Sequence, residues 1–276
     1  MHRTKSRNAL TDTFHSWGDY LQHMRNDPVT WHGRLSSVTG DESFTGSASW
    51  NECLTLARDG WEEGAERVNA LANVLVDRVT SLIEVPEVVM ADEGTAFDMG
   101  LALDGEEECW FSTVPTYSDG PGSKVTRIVF NCIASAGIST KVIIARGSAC
   151  LALALILEQL GRPVELVLAC SDDGTGGIAE AYVTVKEAGD PLDVQRVAFI
   201  TAHPSTLRRL MFRWLEQLPD GMSGRCSGGY GRCVEATDRG DIYFGMAMLG
   251  HVQWANPEAA IRWLLDEVRK QGFEID

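Results

Sequence analysis

One helical segment framed by two short apolar runs, over residues 126–170, limits what this chain can fold into more than any other stretch. The first run is TRIVFN from Thr126. A small-residue loop over residues 132–139 follows, then VIIARGSACLALALILEQL from Val142 to Leu160, then a second run, VELVLAC, from Val164. Both runs are too short for a helix and rich in large aliphatic residues, whereas the middle segment is long, rich in Ala and Leu, and free of Pro. The pattern predicts strand, helix, parallel strand: one βαβ unit. The helix is apolar nearly all round, with Arg146, Ser148, Glu158 and Gln159 its plainly polar positions, so it belongs inside a sizeable domain and is covered on both sides.

A chain of 276 residues buries a full core without cross-links. Its seven cysteines are odd in number and scattered through predicted strands and helices. With no N-terminal apolar leader, they point to a reduced, cytoplasmic setting. Cys226 and Cys233 share a Gly-rich loop and read as two unrelated thiols. The formal charge of -15, from 39 acidic against 24 basic residues, repels phosphate backbones, and no segment gathers enough Lys or Arg to reverse that. Direct nucleic-acid binding is therefore not expected. Arg146 and Glu158 bracket the most apolar helix, so no membrane span is predicted.

In chain order, residues 1–46 read as an N-terminal extension, with a helix over residues 10–24 suggested by Phe14, Trp17, Tyr20, Leu21 and Met24. Ser49 and Glu52 form a capping box that starts a helix marked by Trp50, Cys53, Leu54, Ala57 and Trp61. A second helix over residues 65–82 carries Val68, Leu71, Val74, Leu75 and Val79, a stripe expected to be buried. Short strand-like runs follow, separated by the acidic turn 104–108, which reads as a solvated tip. Residues 47–120 thus form an α+β region, and the break at residues 116–124 is the best domain boundary.

Beyond residue 170 the sequence predicts an acidic Gly-rich loop over residues 171–177 and a strand over 178–185. It predicts another strand over 194–200 and a helix over 205–218. A Gly-rich loop over 221–231 and a last strand within 241–249 follow, and a final helix starts at Asn256-Pro257 and ends at Gly272. The fold class expected is α/β, a mainly parallel sheet with helices on both faces over residues 124–276, preceded by a smaller helical and β N-terminal region.

The runs TRIVFN, NCIASAGIS, VIIARGSACLALALILEQLG and PVELVLAC, with the later VAFITAHPSTLRRLMFRWLEQL, resemble a von Willebrand factor A-type domain over roughly residues 124–272. The resemblance is in particular to the version found in cobalt-chelatase-like and phage-encoded proteins. The resemblance implies a strand-end Asp-x-Ser-x-Ser loop holding a divalent cation, with a second Asp after a Thr at a later strand end. Here Asn131 takes the place of the first Asp, Ile133 the first Ser and Ser135 the second. Thr201 keeps the family's Thr, Ala202 replaces the second Asp, and His203 follows. A hard cation needs several anionic or carbonyl oxygens. The resemblance therefore implies a scaffold without metal or cofactor, with its interaction surface at the carboxyl ends of the strands.

Asn131, Ser135, Ser139, Asp172, Asp173, Thr175, Thr201 and His203 are the interaction candidates at that edge. Asp172 or Asp173 offers a replacement carboxylate for a rescued cation site. The alternative to an interaction role is an enzyme, built on such a site or on a Cys170/His203 pair. There is no Gly-x-Ser-x-Gly elbow, Cys-x-x-Cys, His-Glu-x-x-His or phosphate loop. The sequence therefore favours a non-enzymatic interaction or structural protein, plausibly phage-encoded and acting in the host cytoplasm, that binds a protein partner or copies of itself. Trp17, Trp31 and Trp110 are further contact candidates.

Overall fold

The computed structural model describes residues 1–6, 8–31, 35–82, 88–91, 96–97, 99–103, 106, 108–113, 124–174, 177–219 and 234–273. The chain opens with β1 (His2–Lys5), β2 (Ala9–Phe14) and α1 (Trp17–Asn26). Two single turns, α2 (Ser36–Thr39) and α3 (Glu42–Thr45), lead to α4 (Trp50–Asp59) and α5 (Glu62–Thr80). β3 (Val88–Ala91), β4 (Ala96–Phe97), α6 (Met99–Leu103) and β5 (Trp110–Thr113) follow, with β5 pairing antiparallel to both β3 and β4. The rest comprises β6 (Thr126–Asn131), α7 (Thr140–Gln159), β7 (Val164–Gly174), β8 (Gly177–Lys186) and α8 (Val194–Ala202). A π-helix (Thr206–Met211), α9 (Phe212–Glu216), β9 (Ile242–Phe244), a 3-10 turn (Val252–Trp254) and α10 (Pro257–Lys270) complete it.

The main sheet has six strands in the order β1-β2-β8-β7-β6-β9. β6 lies parallel to both β7 and β9, and β2 parallel to β8, while β1-β2 and β7-β8 are antiparallel. The β6-α7-β7 unit forms as the residue pattern predicts, with Thr126 opposite Val164 and Asn131 opposite Ala169. By length and composition alone α7 passes for a membrane span, at a mean hydropathy of 1.8. In the fold 72% of that stretch is buried, against α5, α8 and α10. Gly147 lets α7 and α8 approach closely, since a Cβ there would stand 2.5 Å from the Cβ of Ala202 in α8.

Among the described residues the helices occupy one face of the sheet, where both were expected. Leu10, Phe14, Ile128, Phe130, Leu166, Leu168, Cys170, Ala181, Val183 and Phe244 point from the strands into a single core shared with α1, α4, α5, α7, α8, α10 and the π-helix. On the opposite face a small cluster of Val129, Val167, Ala169 and Tyr182 is covered by Ala236 and Tyr243. Here residues 234–240 lie across the sheet, held where the Thr237 N–H donates to Glu180 at 2.7 Å and the Asp238 N–H to the Tyr182 hydroxyl at 2.9 Å. Both faces of the central strands are dry, which is why β6 and β7 read as continuous apolar runs.

Four further expectations are corrected. Residues 194–200 are the helix α8: Asp193 caps it by accepting the Arg196 N–H at 3.0 Å, and the apolar run is buried because α5 and α7 enclose it. Short buried helices and short buried strands carry the same apolar signature. Residues 171–174 are not loop but the end of β7, paired to the start of β8 from Ser171↔Glu180 to Gly174↔Gly177. The last strand shrinks to Ile242–Phe244, with one isolated bridge from Ala134 to Ala247. Within the segment expected as an N-terminal extension, β1 and β2 join the main sheet, and α1 begins only at Trp17. Leu10 and Phe14 alternate with Asp12 on the buried side, and that buried carboxylate, held by Arg3 and by the Trp214 indole, hides the strand from a hydropathy reading. Residues 116–123 of the expected break, the loop 221–231 with Cys226, and also Cys233 and Thr175, lie outside the described residues.

Candidate functional site

Asn131 ends β6 and is fully buried. Its Oδ1 accepts the Ile133 N–H at 3.1 Å, and its Nδ2 donates to the Val234 carbonyl at 3.2 Å and to the Tyr243 hydroxyl at 3.0 Å. That hydroxyl in turn donates to Glu235 Oε2 at 2.6 Å and accepts the Ala236 N–H at 2.8 Å. Burial and the Glu235 carboxylate push the Tyr243 phenol up to about 12. The side-chain amide is thus the joint between β6, β9 and the covering segment. Two of its bonds require an N–H donor, so a carboxylate does not substitute there.

Arg146, on α7, closes the same strand ends from the helix side. Its Nη2 donates to the carbonyls of Asn131 at 2.6 Å, Gly245 at 2.7 Å and Phe244 at 3.3 Å, and the guanidinium lies 4.4 Å from the Phe130 ring centroid. Burial lowers its pKa to about 10, so it stays charged at neutral pH. Its Nε has no hydrogen-bond partner among the described residues, and Arg146 lines a small cavity of about 10 Å3 together with Cys132, Thr201 and His203.

Thr201 and His203 serve packing at that cavity. Thr201 sits in the last turn of α8, not at a strand end, and its hydroxyl donates to the Val197 carbonyl at 2.8 Å. His203 is stacked on Phe199 at 4.9 Å and edge-on to Trp61 at 4.6 Å. Its Nδ1 accepts the Ser205 N–H at 3.1 Å, and burial drives its pKa down to about 4. The lone pair a general base needs is therefore engaged, and the ring is neutral. Cys170 is buried in the core on β7.

The remaining candidates do not converge with Asn131. Asp172 is buried on the helix side of β7 opposite Ala179, and Asp173 is half-buried opposite Ile178, beyond Ala169, the residue paired with Asn131. Among the described residues no three His, Cys, Asp or Glu side chains form a metal-holding group. Ser135 is half-buried, with its N–H on the Ala247 carbonyl at 2.9 Å. Trp17 is core, its indole donating to the Ala57 carbonyl at 2.7 Å, while Trp31 is partly exposed and the side chain of Trp110 is outside the described set.

Ser139 differs from the others. It is exposed at the start of α7 and lines an open groove of about 420 Å3 between α5, α7 and the start of α10. Leu71, Val74 and Leu75 form one wall, Lys141, Val142 and Ala145 another, and Trp254, Pro257 and Ala260 the third. Leu71 and Val74 are 42% and 55% exposed, where the sequence led us to expect a buried stripe. The signal was available. At ~100° per residue the apolar positions of α5 span roughly 200°, about twice what one packed stripe requires. The volume falls in the range of sites that hold a ligand or the anchor side chains of a partner.

No curated protein and no solved structure matches the chain. A family model matches residues 2–273, from β1 to just beyond α10, and the chain accordingly belongs to the family described as a domain of unknown function, DUF7192.

Proposed function

We propose that this chain is a non-enzymatic interaction protein that holds a protein partner in the groove between α5, α7 and α10. The observation that carries the reading is the exposure of Leu71 and Val74 in a concave apolar wall, where a folded chain ordinarily buries such side chains. The polar groups at the strand ends support it from the other side. Asn131, Thr201 and His203 are committed to internal hydrogen bonds, which leaves them structural duties.

On this reading the β6-α7-β7 unit is an A-type-like scaffold working without metal. Its support is the parallel strand pair with Asn131 at the strand end. The position of Thr201 within α8 limits the likeness to that unit. An enzyme built on Cys170 and His203 has against it the engaged Nδ1 of a neutral imidazole.

The test is light scattering on the complex purified from the native source and then rebuilt from its purified components. The expected result is a stable hetero-complex that survives chelators and is lost on Val74→Asp. A complex dissolved by chelators, or turnover abolished by His203→Gln, would overturn the reading.

A further inference from the structure

We infer that the groove's partner presents an acidic amphipathic helix. The inference rests on the reading of the groove as a protein-interaction surface and adds the chemistry of what fills it. On α5 the residues Arg67, Leu71, Val74 and Arg78 recur at four-, three- and four-residue intervals, so two cations bracket the two exposed apolar side chains along one stripe. That stripe is about 16 Å long at 1.5 Å per residue, three turns of a docked helix. Lys141 stands on the opposite wall.

None of these three cations makes an ion pair among the described residues, in a chain whose formal charge is -15. Of the exposed acidic residues of α5, Glu66 and Asp77 project about 100° away from the Arg67–Arg78 stripe, while Glu63 lies on its line one turn before Arg67, beyond the end of the apolar pair. The positive end of α7 adds to the same field, because Ser139 lines the groove and its side chain makes no capping hydrogen bond. An apolar slot edged by unpaired positive charge on an otherwise negative molecule is complementary to a helix with an apolar face and acidic flanks. A second copy of this chain fits less well, since a two-fold contact through the groove sets like cations against each other. An anionic bilayer is a convex or flat partner for a concave slot and is repelled by the remaining surface.

The experiment is fluorescence anisotropy on the full chain with two synthetic helical peptides. Both carry leucines at i, i+4 and i+7; one has glutamates on its flanks and the other lysines. The glutamate peptide should bind at least about tenfold more tightly, with affinity falling as salt rises. Val74→Asp should abolish binding, and the triple variant Arg67→Glu, Arg78→Glu, Lys141→Glu should reverse the preference. All four positions are exposed or on the groove wall, so thermal melts should stay within a few degrees of the parent.

Equal affinity for the two peptides, binding of neither, or Val74-dependent binding to phosphatidylglycerol vesicles would overturn the inference. If the peptides fail while a rebuilt native complex still depends on Val74, the acidic helix falls and the interaction reading stands. If that complex ignores Val74 as well, both fall.

Discussion

The guanidinium of Arg146 donates to the main-chain carbonyl of Asn131 at 2.6 Å, and the two residues together tie α7, β6 and β9 at one point. Nothing else among the described residues donates from α7 to these strand ends. Arg146→Met keeps much of the volume but leaves three carbonyls without their donor. We predict a loss of about 3–5 kcal/mol in chemical denaturation, in the range seen when a buried charged hydrogen-bond hub is removed.

Asn131→Asp restores the residue an A-type metal site has at this position, and here it should harm the protein. A carboxylate cannot donate to the Val234 carbonyl, and it is brought next to the hydroxyl that already serves Glu235. The expected cost is about 2–3 kcal/mol in the same denaturation assay. Calorimetric titration of the variant with Mg2+ should give no micromolar binding. A stabilised variant that binds Mg2+ would contradict the structural role assigned to the amide.

His203 makes stability depend on pH with a definite sign. Its imidazole titrates at 6.5 in the open chain and at about 4 in the fold, because burial opposes the charged form. Between those values the unfolded chain binds the proton and the folded chain does not, so stability is complete above pH 6.5 and declines as pH falls toward 4, by up to about 3 kcal/mol. Burial lowers His23 as well, which adds a contribution of the same sign. Denaturant melts from pH 7 to pH 4 should show the decline. His203→Gln should flatten it while leaving the part due to His23.

Gly147 sets the distance between α7 and α8. An added Cβ stands 2.5 Å from the Ala202 Cβ and 2.7 Å from its Cα, so relief requires moving the helix backbone. Gly147→Ala gains helix propensity of roughly 1 kcal/mol yet should lose more than that to overpacking, for a net destabilisation of about 1–2 kcal/mol by thermal melt.

The β6-α7-β7 unit is legible in the sequence because its three segments differ in length and composition, and length separates strand from helix where periodicity is silent. The same logic fails for residues 194–202, a nine-residue helix. Its length lies between the two, and only Asp193, its N-cap, distinguishes it. The strand around Asp12 is lost for another reason: a buried carboxylate breaks the apolar alternation, and its partners Arg3 and Trp214 lie at distances the local pattern cannot reveal. Of the candidate edge, the position of Asn131 is legible but its duty is not, since Val234 and Tyr243 reach it from more than 100 residues away. The groove was recoverable from the width of the apolar arc on α5, although the sequence alone does not say which part of that arc the fold leaves uncovered.

The central claim is that the groove, not the strand-end loops, carries the interaction and that its occupant is acidic. Zero-length carbodiimide coupling on the native complex, read by mass spectrometry, tests this most directly because it joins amines only to carboxylates in contact with them. The chain's lysines are Lys5, Lys124, Lys141, Lys186 and Lys270, and Lys141 alone lines the groove. The account predicts that intermolecular links join Lys141 to Asp or Glu side chains of the partner. Links confined to Lys5, Lys124 or Lys270, with Lys141 uncoupled, would contradict it.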